Sequence, residues 1–498
     1  MQASPTSQLP PDAGNNRLPA ERNDLGLPVT NVPRVVIVGG GFAGVQLARG
    51  LRKEKVQVVL LDKNNYHTFQ PLLYQVATAE LDAESIADPL RKLFKNQANF
   101  YLRVAMVHRV DTDRKCLGTS LGSLHYDYLV LALGSGANYF GNRRIEQFAL
   151  PMKEVSQAIQ LRNHLLASME QALLAGSEAE KQAWMNIVIA GGGPTGVEVA
   201  GALGELKKNV FLKDYPELDF SRMEIHLVEG SPHLLAAMTD FSSRKAEQYL
   251  APLGVQVHKK LLVKDYDGRT VSLSDGSQLP TRTLIWTAGV KANGIEGLPM
   301  DSYAGGGRLK VDAFHRVAGC GDLFAAGDLS AMISPDYPKG HPQLGSVAKQ
   351  QGRHLAATLR RTLCQEPLTP FRYRDLGTMA TVGRNRAVVE LPGFRFGGIL
   401  AWFVWMLVHL VLMLGFRNRV VILVDWLWNY FTLDRGSRLM INADGKAAGS
   451  GSPPGEPPMP GTDEGHPDAA GEKLAAQAPQ KEIVVPALVA TPPLPVTP

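Results

Sequence analysis

The sequence predicts an α/β fold with two Rossmann-like dinucleotide-binding modules and a separate helical segment near the C-terminus. Three observations predict it. Gly39, Gly41 and Gly44 form a G-x-G-x-x-G turn between the apolar run RVVIV and a helical stretch. Gly191, Gly193 and Gly196 repeat that turn between NIVIA and a second helical stretch, with Pro194 and Thr195 inside it. Residues 396–431 then form a strongly hydrophobic block.

Each module reads as strand, glycine turn, helix, strand, acid. In the first, VQVVLLD ends on Asp62; in the second, MEIHLVEG ends on Glu229. The glycines permit a tight turn and let the backbone approach a pyrophosphate, which the helix N-terminus favours through its N–H donors and dipole. The acid is placed to accept from a ribose hydroxyl. Glu229 lies further from its glycines than the usual spacing, and LKKNVFLKDYPELDFSRM lengthens the connection. A carboxylate there favours NADH over NADPH, because it repels a 2′-phosphate. LVLALGSG and TLIWTAGV echo one another, so the modules read as a duplication. A long helical stretch, Met152 to Met185, joins them. Later runs include LFAAGDLS, a strand with Asp328 at its end, a helix through VAKQQG, and strands in LGTMATVGRNRAVVEL.

Bulk properties narrow the function classes. The chain has 498 residues, enough for several domains. A net charge of +5 excludes a strongly basic nucleic-acid binder. Cys116, Cys320 and Cys364 form no C-x-x-C pair, which argues against a nearby redox disulfide and fits a reducing compartment. No metal-ligand cluster is visible. The N-terminal stretch has no signal-peptide pattern, and it and the Pro/Gly/Ala-rich C-terminal tail read as disordered.

Several residues have two readings on spacing alone. Asp328 can bond the ribityl or phosphate side of a flavin, or simply end a turn. KNNYHTFQPLLYQVATAEL can lie over a flavin ring or be a packed loop. Glu198 can face a nicotinamide–flavin junction, or merely favour its helix start.

FQPLLYQVATAEL, GGGPTGVE, WTAGVKAN, AAGDLS, VAKQQG and GTMATVGRNRAV…GFRNRVVILVDWLWNYFTLDRGSRL carry a family resemblance. From about Arg34 to Met440 the chain resembles the type II NADH dehydrogenases, single-subunit NADH:quinone oxidoreductases that pump no protons. The resemblance implies a glutathione-reductase-like arrangement. It divides the chain into a lead-in (1–33), an FAD-binding domain in two parts (34–150 and 301–394), an NADH-binding domain (151–300), membrane-docking helices (395–440) and a tail (441–498). FAD contacts are implied for Gly39, Gly41, Phe42, Ala43, Gly44, Asp62, Lys63, Gln70, Val107, Gly134, Asp328, Ala348, Lys349 and Gln350. NADH contacts are implied for Gly191, Gly193, Pro194, Thr195, Gly196, Glu198, Glu229, Ala288 and Gly289. Quinone would enter near Ala348 and Gln350, with Glu198 and Gln350 as the candidate catalytic residues. Many members read A-Q-x-A-x-Q here; this chain has Ser346 at the first Gln and keeps Gln350 at the second. The calcium-loop pattern of calcium-regulated members is missing.

The hydrophobic block has three readings. Ile399 to Phe416 is near the lower limit for a transmembrane helix, with His409 as its ionisable residue. A buried helical hairpin or homodimer interface is the second. The third, implied by the resemblance, is a pair of helices lying on the membrane with Trp402, Trp405, Trp426 and Trp428 at the boundary. Asp425, Asn429 and Thr432 share one stripe of the later helix. His409 reads as a tolerated interfacial residue. NADH supply and cysteine usage favour the cytoplasmic face of a respiratory membrane. Two rivals are a sulfide:quinone oxidoreductase, which needs paired reactive cysteines, and an NADH-sensing flavoprotein without quinone turnover.

Overall fold

The computed structural model describes residues 24–433 and 435–440. Among the described residues, packing already includes the stretch before Arg34, because Leu25 and Leu27 are buried in the first domain's core and Arg103 Nε donates to the Leu25 carbonyl at 2.8 Å. The disorder expected of residues 1–23 and of the tail from 441 onward lies outside the described residues.

Two five-stranded parallel sheets carry the fold. The first runs Leu323–Ala325, Tyr128–Leu131, Arg34–Val38, Gln57–Asp62, Phe100–Val104. The second runs Leu150–Pro151, Thr283–Trp286, Ile187–Ala190, Ile225–Glu229, Val255–Lys259. Both place the strand before the glycine turn at the centre. The acid-bearing strand flanks it on one side, and the strand leading to GSG or TAG on the other. The duplication read from LVLALGSG and TLIWTAGV is thus a duplication of sheet order. Both central strands are buried along their length, as strands covered on two faces must be.

The expected long helix is two, Val155–Leu174 and Glu178–Met185. Gly176 opens the break, and Ser177 Oγ accepts from the Glu180 amide to start the second helix. The helix Gly345–Leu363 packs closely along Phe42–Gly50. A side chain on Gly352 would meet the Ala43 carbonyl oxygen at 2.3 Å, so the backbones are almost in contact.

After three antiparallel strands, Thr378–Thr381, Ala387–Leu391 and Phe394–Gly398, the hydrophobic block folds as a hairpin of helices, Ile399–Leu412 and Phe416–Thr432. The first has 14 residues and is about 21 Å long, short of the roughly 30 Å of a bilayer core. Among the described residues no helix is long and apolar enough to cross a membrane. One face of the hairpin joins the protein core through Ala401, Trp405, Ile422 and Trp426. The opposite face exposes Phe403, Leu407, Val411, Val424, Leu427 and Phe431. Of the polar stripe, Asn429 faces the body, donating to the Glu80 carbonyl at 3.0 Å, Asp425 is half-buried and Thr432 is exposed. His409 is not interfacial: it is buried, stacked on Trp405 at 4.1 Å, with Nδ1 2.7 Å from the Trp405 carbonyl.

Arg435, just past the hairpin, is buried between Glu80 at 2.5 Å and Glu205 at 3.6 Å and donates to the Thr78 carbonyl at 2.9 Å. It ties the loop after the first module to the helix of the second. Replacing it leaves two half-buried carboxylates without their shared cation. Arg435→Ala is expected to cost about 3–5 kcal/mol, read as a lowered urea midpoint.

Candidate functional site

The two glycine turns are built alike. Gly39 and Gly191 have φ of +110° and +105°, and a side chain on either would strike the neighbouring strand end at Ala132 or Thr287. A side chain on Gly44 or Gly196 would lie 1.9 or 1.8 Å from the carbonyl oxygen of Gly39 or Gly191. The protein itself therefore requires these four glycines. Gly41 and Gly193 differ: nothing lies within 4 Å of a side chain added there, and both backbones are in ordinary extended conformations. Their lack of a side chain leaves a space at each helix N-terminus where a pyrophosphate fits, with the N–H groups and dipole directed at it.

The two acids also match. The Gly40 and Asn64 amides donate to the Asp62 carboxylate at 2.6 and 2.7 Å. The Gly192 and Ser231 amides donate to Glu229 at 2.6 and 2.7 Å. Each acid thus clamps its own glycine turn, and each oxygen keeps a lone pair for a ribose hydroxyl. Burial raises the Asp62 pKa, opposed by those two amides and Lys63.

A cleft of about 410 Å³ opens from the first turn. Gly39, Gly41, Phe42, Ala43, Asp62, Lys63, Gln70, Val107, Gly134, Asp328 and Ala348 all line it. Asp328 accepts from Ser135 Oγ at 2.5 Å, which fixes its carboxylate at the floor. Its loop is held by Gln351, whose side-chain oxygen accepts from the Gly327 amide at 2.7 Å. The loop after Asp62 is partly a wall: Thr68 and Gln70 line the cleft, while Phe69 packs into the core beneath Phe42. Lys153, Glu154 and Gln343 also line the cleft, though no motif in the sequence singles them out, and so does Asn293 at the end of WTAGVKAN. Lys63 and Glu154 pair at 2.6 Å across its mouth. Burial lowers the Lys153 pKa, and Asp328 opposes the shift.

The remaining candidates lie elsewhere. Lys349 sits over the rings of Phe42 and Phe69, at 4.7 and 5.5 Å, and Nζ reaches the Leu412 carbonyl of the hairpin at 3.3 Å. Burial and Arg353 lower its pKa to about 8. Gln350, one position on, faces away from the cleft. Its amide group donates to the Arg374 carbonyl at 2.9 Å and accepts from the Arg374 amide at 3.0 Å, so both ends are occupied. Ser346 Oγ lies 3.4 Å from the Tyr373 hydroxyl. Ala288 lies against the second turn, its Cα 2.8 Å from a side chain on Gly191, while Gly289 packs beside Phe140. Pro194 and Thr195 are exposed in the first turn of its helix.

Glu198 is buried within that helix and does not line the cleft. It faces the hairpin, beside the Trp405 indole and the Thr381 backbone. Burial pushes its pKa up to about 8, against the opposing effects of those two groups. It does not serve as a cap, since Gly193 holds that position.

Comparison with known proteins agrees with this geometry. Residues 33–352 match the pyridine nucleotide-disulphide oxidoreductase family, and residues 376–433 match the NDH2 C-terminal domain. The type II NADH:quinone oxidoreductase Ndh of Mycobacterium tuberculosis is 32% identical over 418 residues, covering 81% of this chain and 89% of that protein. An internal alternative NAD(P)H-ubiquinone oxidoreductase A1 of Arabidopsis thaliana mitochondria is 29% identical, over 80% of this chain and 84% of that one. In fold, the chain resembles NDH2 of Plasmodium falciparum solved with NADH, with a TM-score of 0.75 at 21% identity, covering 82% of this chain and all of that one. The sulfide:quinone oxidoreductase of Aquifex aeolicus shares the fold at a TM-score of 0.62 and 18% identity. With that sequence identity and coverage, the chain belongs to the type II NADH:quinone oxidoreductase family.

Proposed function

We propose that this chain oxidises NADH and reduces a membrane quinone, with FAD held in the cleft at Gly39–Asp62 and NADH at Gly191–Glu229. The observation that carries this reading is the pair of open positions, Gly41 and Gly193. Each sits at a helix N-terminus where the protein has left room that it does not itself need. FAD, when bound, supplies the two-electron chemistry that links nicotinamide to quinone. The protein's share is placement and protons. Asp328, Gly134 and Gln70 border the part of the cleft beyond the pyrophosphate position. Glu229 holds the second turn and supplies a carboxylate that disfavours a 2′-phosphate.

Quinone reaches the cleft from the hairpin side, past Lys349, Phe42 and Phe69. Lys349 touches both the cleft wall and the hairpin backbone. Its ammonium and the protonated carboxyl of Glu198 both titrate near pH 8, so each can release a proton around neutral pH. Reduction to quinol requires two protons, and these side chains are our candidates for supplying them. The geometry gives Gln350 no such part.

The hairpin docks on the membrane by its outward apolar face, without crossing, on the side of the membrane where NADH is made. Its inner face belongs to the core, so surface substitutions test docking better than truncation. Leu407→Glu with Val424→Glu places two charges where a lipid-facing surface excludes them. Binding to phosphatidylcholine vesicles is expected to fall at least tenfold, while reduction of a water-soluble acceptor by NADH is unchanged. Unchanged vesicle binding would contradict the docking face.

A further inference from the structure

The helices Phe42–Gly50 and Gly345–Leu363 form a groove of about 380 Å³ on the surface, outside the cleft. Its floor is made of small residues, Gly50, Ala356 and Ala357. The approach there is so close that a side chain on Gly50 would lie 2.4 Å from the Ala356 Cβ. Arg49, Arg353 and Arg360 rise around this floor. None of the three has a carboxylate within ion-pair distance among the described residues. Arg353 is oriented by Gln46, which accepts from its Nε at 3.1 Å. That contact leaves the two terminal nitrogens of the guanidinium for a ligand.

The groove adjoins the turn of the hairpin. Asp88 is the carboxylate that acts on Arg49, and it is shared with Lys92 and Arg419. Its Oδ1 also accepts from Asn418 Nδ2 at 3.2 Å, at the start of the second hairpin helix. One buried carboxylate thus faces three cations next to the turn, and the charge around it is net positive. Leu414, within the turn, packs on the same core as Ala356. The exposed apolar residues nearest the turn are Val411, Leu412, Phe416 and Val420.

We infer that this groove binds the phosphate of an anionic phospholipid headgroup, with Arg49, Arg353 and Arg360 as its ligands. Guanidinium groups match phosphate oxygens in charge and in paired-donor geometry. The small floor admits a glycerophosphate where larger side chains would fill the space. The neighbouring apolar face would receive the acyl chains. This inference rests on the docking reading above, and adds a preference among lipids that an apolar face alone does not have.

The test compares wild type, Arg353→Gln with Arg360→Gln, and a charge-matched control, Lys260→Gln with Lys264→Gln, by cosedimentation. The vesicles are phosphatidylcholine alone, or phosphatidylcholine with phosphatidylglycerol, at low ionic strength. Thermal unfolding and NADH oxidation with a water-soluble acceptor check that all three proteins are intact. Wild type and control are expected to prefer the anionic vesicles. The arginine variant is expected to lose about fivefold of that preference per arginine, roughly twenty-five-fold for the pair. Its binding to phosphatidylcholine alone should be unchanged. An arginine variant that keeps the preference, or a control that loses as much, overturns the groove. Wild type that binds neither vesicle overturns docking itself. Inorganic phosphate that raises the unfolding temperature of wild type but not of the arginine variant, with equal vesicle binding by both, makes the groove a soluble-anion site and overturns the lipid assignment.

Discussion

Gly41→Val is expected to fold and to purify without flavin. The position has an ordinary extended backbone, φ −73° and ψ −167°, and an added side chain there meets no protein atom within 4 Å. The valine therefore costs the folded protein little. It does occupy the space that the helix N-terminus offers to a pyrophosphate, and NADH–quinone turnover should fall at least a hundredfold. Flavin binding itself stabilises the fold, so the fair reference is wild type stripped of flavin, whose unfolding temperature the variant should match. Gly44→Val separates the two roles of glycine. Its side chain would begin 1.9 Å from the Gly39 carbonyl oxygen, and that variant should not fold. Gly193→Val should keep its flavin but lose bleaching by NADH, while chemically reduced protein still passes electrons to quinone. A Gly41→Val protein that is yellow and active would contradict the placement of FAD.

Glu198→Gln is expected to remove a pH dependence from both stability and turnover. The carboxyl titrates near 4.5 when unfolded and at about 8 in the fold, because burial penalises its charged form. The native state thus binds the extra proton between these values. Stability from this group is fully present below the unfolded value and is lost as pH rises through the folded one. The loss is on the order of a few kcal/mol between about pH 5 and 9. Glutamine mimics the protonated acid and cannot ionise, so the variant's unfolding temperature should decline less across that range. If Glu198 also delivers a proton to quinone, quinone reduction should fall to a lower plateau and its alkaline fall near pH 8 should become shallower, with the part carried by Lys349 remaining. Dye reduction by NADH should be little changed, because it needs no proton from this side. A variant that keeps the wild-type pH profile in both measurements would contradict the assignment.

How much of this was legible in the sequence follows from what holds each feature. The glycine turns are fixed by contacts within a few residues and by the strand that follows, so the spacing of Gly39, Gly41, Gly44 and Asp62 was enough. The second module reads the same way, even with the long insertion before Glu229. Lys153, Glu154 and Gln343 carry no such mark, because sheet order brings them to the cleft from distant parts of the chain. No local pattern marks them. Gln350 shows a different limit. On the helix Gly345–Leu363, one residue is a rotation of about 100°. Ala348 faces the cleft and Lys349 its aromatic rim, while Gln350 turns to the Arg374 backbone. The motif identifies the helix, and only packing sets its phase. Likewise, the composition of the hydrophobic block allowed a spanning helix, an interface or a docked hairpin. The break at Met413–Gly415 makes it two helices too short to span, and packing divides its tryptophans: Trp405 and Trp426 face inward, Trp428 outward.

The most direct test of NADH-to-quinone transfer is anaerobic spectroscopy of the flavin in the purified chain. Adding NADH should bleach its visible absorption, and adding a short-chain quinone should restore it. Protein without flavin, or flavin that NADH leaves oxidised, would contradict the account. So would flavin that NADH bleaches and quinone does not reoxidise.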